Sequence, residues 1–94
     1  MESNGPSLRY AILRMLLDHM QSGGIPLLTL NVMAREFGEP PDLVRQACDA
    51  LERDGYIKGF AFGANGKQDP TYDITKHGVN VVYNIEQNPG KGSV

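Results

Sequence analysis

Residues 30–57, LNVMAREFGEPPDLVRQACDALERDGYI, constrain the fold more than any other part of the chain. Two short stretches of helical periodicity are split by Gly38-Glu39-Pro40-Pro41, and the second is closed by Gly55-Tyr56-Ile57. In the first stretch Val32, Met33, Ala34 and Phe37 turn one side toward a core, and Gly38 supplies the permissive backbone that ends a helix. The second opens on Pro40 and Pro41, tolerated in a first turn whose amides have no intrahelical partner, with Asp42 where the helix dipole favours negative charge. Val44, Ala47, Cys48 and Leu51 then recur at i, i+3, i+4 and i+7, which leaves Asp42, Arg45, Gln46, Asp49, Glu52 and Arg53 on the opposite side. The spacing predicts two helices joined by a tight turn, the second running from Pro41 to Asp54, with one face buried and the other offered.

The flanking segments complete an α+β pattern. From Ser7 to Met20, Leu8, Ala11, Ile12, Met15, Leu16 and Met20 share a helical stripe, with Ser7 as the expected N-cap. Tyr10, Leu13 and Leu17 form a second stripe, so this helix is apolar around much of its girth. One small core should not need so much, and part of that surface is expected to meet another subunit. Ile25-Pro26-Leu27-Leu28 is short and Pro-interrupted, a sheet-edge strand at most, and Thr29 or Asn31 can cap the helix that follows. After Gly55, Tyr56, Lys58, Phe60 and Phe62 fall on one side of an extended strand, and Ile57, Gly59 and Ala61 on the other. Asn65-Gly66 is a strong hairpin-turn signal, and Thr71 to Ile74 returns as the partner strand. Thr75 can cap a last helix carrying Val79, Val82, Tyr83 and Ile85, which Gly78 and the β-branched residues make intrinsically weak. The expected organisation is a flexible N-terminus over 1–6, one domain over 7–86 and a disordered tail over 87–94.

With 94 residues, 40% of them hydrophobic, there is room for one small core. Cys48 is the single cysteine and lies on an apolar stripe, which points to a buried structural thiol and a reducing compartment. No apolar run approaches a membrane span and MESNGPS lacks the pattern of a signal peptide, so a cytoplasmic location is expected. His19 and His77 are far apart, and with one cysteine no metal-ligand spacing exists. His19 reads as a packed core histidine and His77 as solvent-facing. Phosphate-cradling, dinucleotide and nucleophile-elbow motifs are missing, so neither an enzyme nor a cofactor is expected. Nine Lys and Arg against eleven Asp and Glu give a net charge of −2, which weighs against strong nonspecific attachment to nucleic acid.

The order helix, short strand, helix, turn, helix, two strands, helix resembles the winged helix-turn-helix superfamily, including the PadR, MarR and YjcQ-like groups of bacterial and phage regulators. The residues that carry the likeness are Ala34, Phe37, Gly38, Val44, Ala47, Leu51-Glu52, Gly55-Tyr56-Ile57 and Tyr72-Asp73-Ile74-Thr75-Lys76-His77-Gly78, and it covers roughly residues 7 to 86. The resemblance implies a three-helix core with an edge strand, a two-stranded β-wing and a C-terminal helix. It also implies sequence-specific binding of double-stranded DNA by a small dimeric transcriptional regulator or a phage or plasmid factor. The helix from Pro41 would then enter the major groove, Arg45 and Gln46 reading guanine and adenine. Asp49 would accept from cytosine or, like Glu52, pair with Arg45 or Arg53. Asn65 and Lys67 would bring the wing to the backbone or minor groove, and Thr29 and Asn31 would bind phosphate at a helix start. Pro41, Asp42 and Arg53 share that surface. A homodimer through the first and last helices would use Tyr10, Leu13, Leu17, Val82 and Tyr83. The acidic residues Asp42, Asp49 and Glu52 on the same face, with Asp69 opposing Lys67, support an alternative class: a winged-helix module that binds protein. Packing against the helices is the expected role of most of Tyr56, Phe60, Phe62 and Tyr72, with Phe62, nearest the loop, as the possible partner anchor.

Overall fold

The structure, a computed structural model, describes residues 5–23, 28–61 and 67–87. The expectations that rest on Ile25 to Leu27, Phe62, the Asn65-Gly66 turn, and the first and last residues of the chain lie outside those residues.

Four helices and a two-stranded sheet follow in the order α1 (Gly5–Gln21), α2 (Leu30–Phe37), α3 (Pro41–Arg53), β1 (Ile57–Phe60), β2 (Thr71–Ile74) and α4 (Lys76–Gln87). α1 starts two residues before Ser7, so Ser7 lies inside the helix. The α2–α3 turn forms as its residues require. Gly38 adopts a left-handed φ of 67° and its N–H reaches the Ala34 and Arg35 carbonyls, while the Glu39 N–H reaches Ala34 O at 3.0 Å. Pro40, extended at φ −61° and ψ 140°, then precedes Pro41 at the first helical position of α3.

β1 and β2 pair antiparallel with Ile57 opposite Ile74 and Phe60 opposite Thr71. Just after the segment expected as an edge strand, Thr29 forms an isolated antiparallel bridge with Thr71. Around it the Tyr72 N–H donates to Leu28 O at 3.2 Å and the Leu30 N–H to Pro70 O at 2.9 Å.

The core explains the wide apolar girth of α1. This helix packs against α3, β2 and α4 at once, so Leu8, Ile12, Leu13, Leu16 and Leu17 are all buried within the monomer. Leu13, Leu17 and Val82, expected at a dimer contact, are therefore interior residues with no exposed surface; burial of each stabilises the fold by roughly 1.5–3 kcal/mol relative to exposure. Of the five residues expected there, Tyr10 and Tyr83 remain accessible, Tyr83 at 44%. Met20, expected on the core stripe, is 48% exposed at the end of α1. His19 is half-buried there, its Nε2 out of solvent and without a hydrogen-bond partner.

α4 is fastened to the turn after α3. Thr75 caps it as expected, its hydroxyl accepting from the Gly78 N–H at 3.1 Å and donating to Gly55 O at 2.7 Å. A Cβ at Gly78 would overlap the Tyr56 carbonyl oxygen and come within 2.8 Å of Ile74 Cγ1. The glycine that weakens α4 as an isolated helix is what lets it approach the chain so closely.

Candidate nucleic-acid interface

Because Val44, Ala47, Cys48 and Leu51 fix the buried side of α3, the outer side is determined by helical geometry. Asp42, Gln46, Asp49 and Arg53 recur along the stripe opposite the core, and all four are exposed, as is Pro41 at the head of the helix. Arg45 and Glu52 lie on the flank toward the wing, and Leu43, 40% exposed, on the other flank. Leu43 was missed in the sequence reading, although its position about 100° from the buried stripe is a legible signal.

The two flanking charges are engaged by the wing. Arg45 is half-buried, and its Nη2 donates to Gln68 O at 2.9 Å and to Lys67 O at 3.3 Å. The structure thus gives this guanidinium a different partner from the base edge assigned to it by resemblance. Glu52, expected to pair with an arginine, instead accepts from the Gly59 N–H of β1 at 3.3 Å. Between α3 and the strands lies an open cleft of about 250 Å³, lined by Arg45, Asp49, Glu52, Gly59, Lys67 and Tyr72. Lys67 is exposed at its rim, whereas Asn65 lies outside the described residues.

The start of α2 is closed by the chain itself. A helix leaves its first N–H groups unsatisfied, yet here the Leu30 N–H donates to Pro70 O, the Asn31 N–H to Asp69 Oδ1 at 2.8 Å and the Val32 N–H to Thr29 Oγ1 at 3.2 Å. The Met33 N–H completes the turn on Thr29 O at 3.0 Å. The Asp69 carboxylate thus occupies the place on the helix dipole that the sequence reading gave to a DNA phosphate. The half-buried Thr29 hydroxyl serves this cap, and Asn31 is exposed. The capping role of Asp69 was not anticipated, because residues 31 and 69 are brought together only by the bridge of β2 to Thr29.

Beneath the cleft sits Cys48, fully buried, its thiol pushed up to about 12 by burial first and then by the Asp49 and Glu52 charges, with Arg45 opposing. Tyr72 is shifted upward by burial first, then by the neighbouring Cys48 and by the same carboxylates. A neutral thiol out of solvent is a packing group, not a nucleophile. Among the described residues, no group of His, Cys, Asp and Glu is placed to hold a metal, and no helix is long and apolar enough to cross a membrane.

Three helices, a capped turn between the second and third, and a β-hairpin flanking the third constitute a winged helix-turn-helix. Solved structures share it. The chain is similar to the transcriptional regulator BldR from Sulfolobus solfataricus at 16% identity over 86% of this chain and 52% of that one, with a TM-score of 0.68. MepR from S. aureus, solved as a complex with DNA, matches at 23% identity over 80% of this chain and 51% of its own, TM-score 0.66. A variant of ZitR from Lactococcus lactis in apo form matches at 22% over 94% and 61%, TM-score 0.66. At these identities the likeness is one of fold, and the chain spans about half to three-fifths of the length of these proteins. No family model and no curated protein matches the sequence.

Proposed function

We propose that the chain is a double-stranded DNA-binding transcriptional regulator that presents α3 to the major groove. One observation carries the reading: the fold leaves a single exposed stripe of Asp42, Gln46, Asp49 and Arg53 on α3, with the core behind it and the wing beside it. The solved complex of the similarly folded MepR with DNA supports it. In this reading Gln46, near the start of α3 on its exposed outer stripe, reads an adenine edge, and Asp49 accepts from cytosine. Arg53 and Lys67 contact the phosphates, with Pro41 and Asp42 at the groove-entering end of the helix. The operative form is a homodimer in a cytoplasmic setting, joined through the accessible Tyr10 and Tyr83, which spaces two α3 helices along the duplex.

A specific observation favours a second reading. On α3, Asp42, Asp49 and Glu52 outnumber Arg45 and Arg53, and Leu43 is exposed beside them. That composition also suits a module that docks a protein. Selection from a random duplex pool distinguishes the two. A regulator enriches one sequence motif over successive rounds, lost in Gln46→Ala, whereas a protein-docking module enriches none.

A further inference from the structure

The segment Lys67–Pro70, where the wing rejoins the body, is held at two places by charged side chains from different elements. From α3, the Arg45 guanidinium donates to the Lys67 and Gln68 carbonyls. From within the segment, Asp69 reaches out to accept from the Asn31 N–H at the head of α2. The Leu30 N–H on Pro70 O and the Tyr72 N–H on Leu28 O continue the same attachment.

We infer that Arg45 and Asp69 form a clamp that sets the angle of the wing against the helix-turn-helix, and that both are positioning residues for DNA, not contacts to it. The inference rests on the DNA-binding reading and reassigns Arg45 within it. Four observations on the described residues support it. Arg45 sits on the wing flank of α3, away from the stripe of Asp42, Gln46, Asp49 and Arg53. It is half-buried while those four are exposed. Its Nη2 donates to two successive carbonyls, so one guanidinium nitrogen ties the Lys67 and Gln68 peptides to α3. Finally, the carbonyls and the Asp69 carboxylate belong to three adjacent residues, so releasing one grip loosens the segment that carries the other. A wing held at a fixed angle presents its contacts without an ordering cost at binding.

Two readouts test the clamp separately. The first needs no DNA: hydrogen exchange at the Leu30, Asn31 and Tyr72 amides in wild type, Arg45→Ala, Arg45→Lys, Asp69→Ala and the Arg45→Ala/Asp69→Ala double variant. The clamp requires Arg45→Ala to speed exchange at Asn31 by about tenfold, although Arg45 does not touch that amide. Arg45→Lys should fall between it and wild type, and the double variant should lose less than the product of the singles. Unchanged exchange at Asn31 in Arg45→Ala, with circular dichroism intact, overturns the clamp. The second readout uses a duplex carrying the selected motif and single base-pair variants of it. Arg45→Ala should weaken binding by roughly tenfold to every duplex alike, because no base is read by it. Relaxed discrimination at one base pair makes Arg45 a base reader and overturns the assignment. If wild type binds no duplex, the regulator reading fails while the exchange experiment still decides the clamp.

Discussion

The Thr75 hydroxyl donates to the Gly55 carbonyl oxygen at 2.7 Å, joining the turn after α3 to the start of α4. The two residues stand in separate sequence motifs, LERDGYI and YDITKHG, that carry the resemblance. The contact gives that pairing a physical reason. Gly55, at φ 84°, turns the chain out of α3, and Thr75 fastens α4 onto the turn, with Ile57 paired to Ile74 beneath it. The Tyr56 and His77 rings close the outside with centroids 4.8 Å apart.

Gly78→Ala should destabilise the protein although alanine is the better helix former. The favourable propensity of about 1 kcal/mol is opposed by a Cβ driven into the Tyr56 carbonyl, and we expect a net loss of roughly 1–3 kcal/mol. A thermal melt should show a fall of several degrees, and an unchanged or raised Tm would remove the close approach from the account.

Leu13→Ala distinguishes a core residue from an interface residue. Fully buried between α1 and its neighbours, Leu13 should cost about 2–5 kcal/mol on truncation. The loss should be the same at every protein concentration. A loss that disappears on dilution would return Leu13 to a subunit contact.

Stability should decline on the alkaline side. Cys48 keeps its proton in the folded state up to about 12, whereas its ordinary value is 9.0, and Tyr72 is raised from its ordinary 10.0. Below about pH 8 both groups are neutral folded and unfolded, so they contribute almost no slope. Above it the unfolded chain releases protons that the folded chain retains, and stability falls with a limiting slope of about 1.4 kcal/mol per pH unit per group. Urea titrations from pH 8 to 11 follow this, and Cys48→Ala should flatten the slope. A slope unaffected by that change would mean the thiol ionises freely in the fold.

Glu86→Gln should matter little. Glu86 accepts from the Tyr10 hydroxyl at 2.7 Å and pairs with Arg14 at 2.9 Å, tying the end of α4 to α1, but the groups are partly exposed. We expect a loss below about 1 kcal/mol that shrinks further in high salt. A loss of several kcal/mol would show that this surface cluster fixes α4 in place.

The parts of the fold that follow local rules were legible in the sequence. Val44, Ala47, Cys48 and Leu51 announce the buried face of α3, and Gly38 and Thr75 announce the end of one helix and the start of another. What was not legible depends on elements distant in the chain. Leu13 and Leu17 read as surplus apolar surface because their burial depends on α3, β2 and α4 all meeting α1. Gly78 read as a weakness because the Tyr56 carbonyl it accommodates is brought there by the hairpin. Arg45 read as a guanine reader or a partner of Asp49 or Glu52 because its acceptors lie 22 and 23 residues further on. The outer stripe of Asp42, Gln46, Asp49 and Arg53 was legible as a surface, but its division from Arg45 and Glu52 emerged only once the wing was in place.

The most direct test of the central claim is fluorescence anisotropy of the full chain on the selected duplex and on a scrambled one, across a salt series. The DNA-binding reading requires tighter binding to the selected duplex, with log K falling by about 0.9 per phosphate contact for each unit of log salt, roughly a hundredfold between ~50 and ~200 mM for about four contacts. Equal affinity for both duplexes, or no binding at the lowest salt, would contradict it.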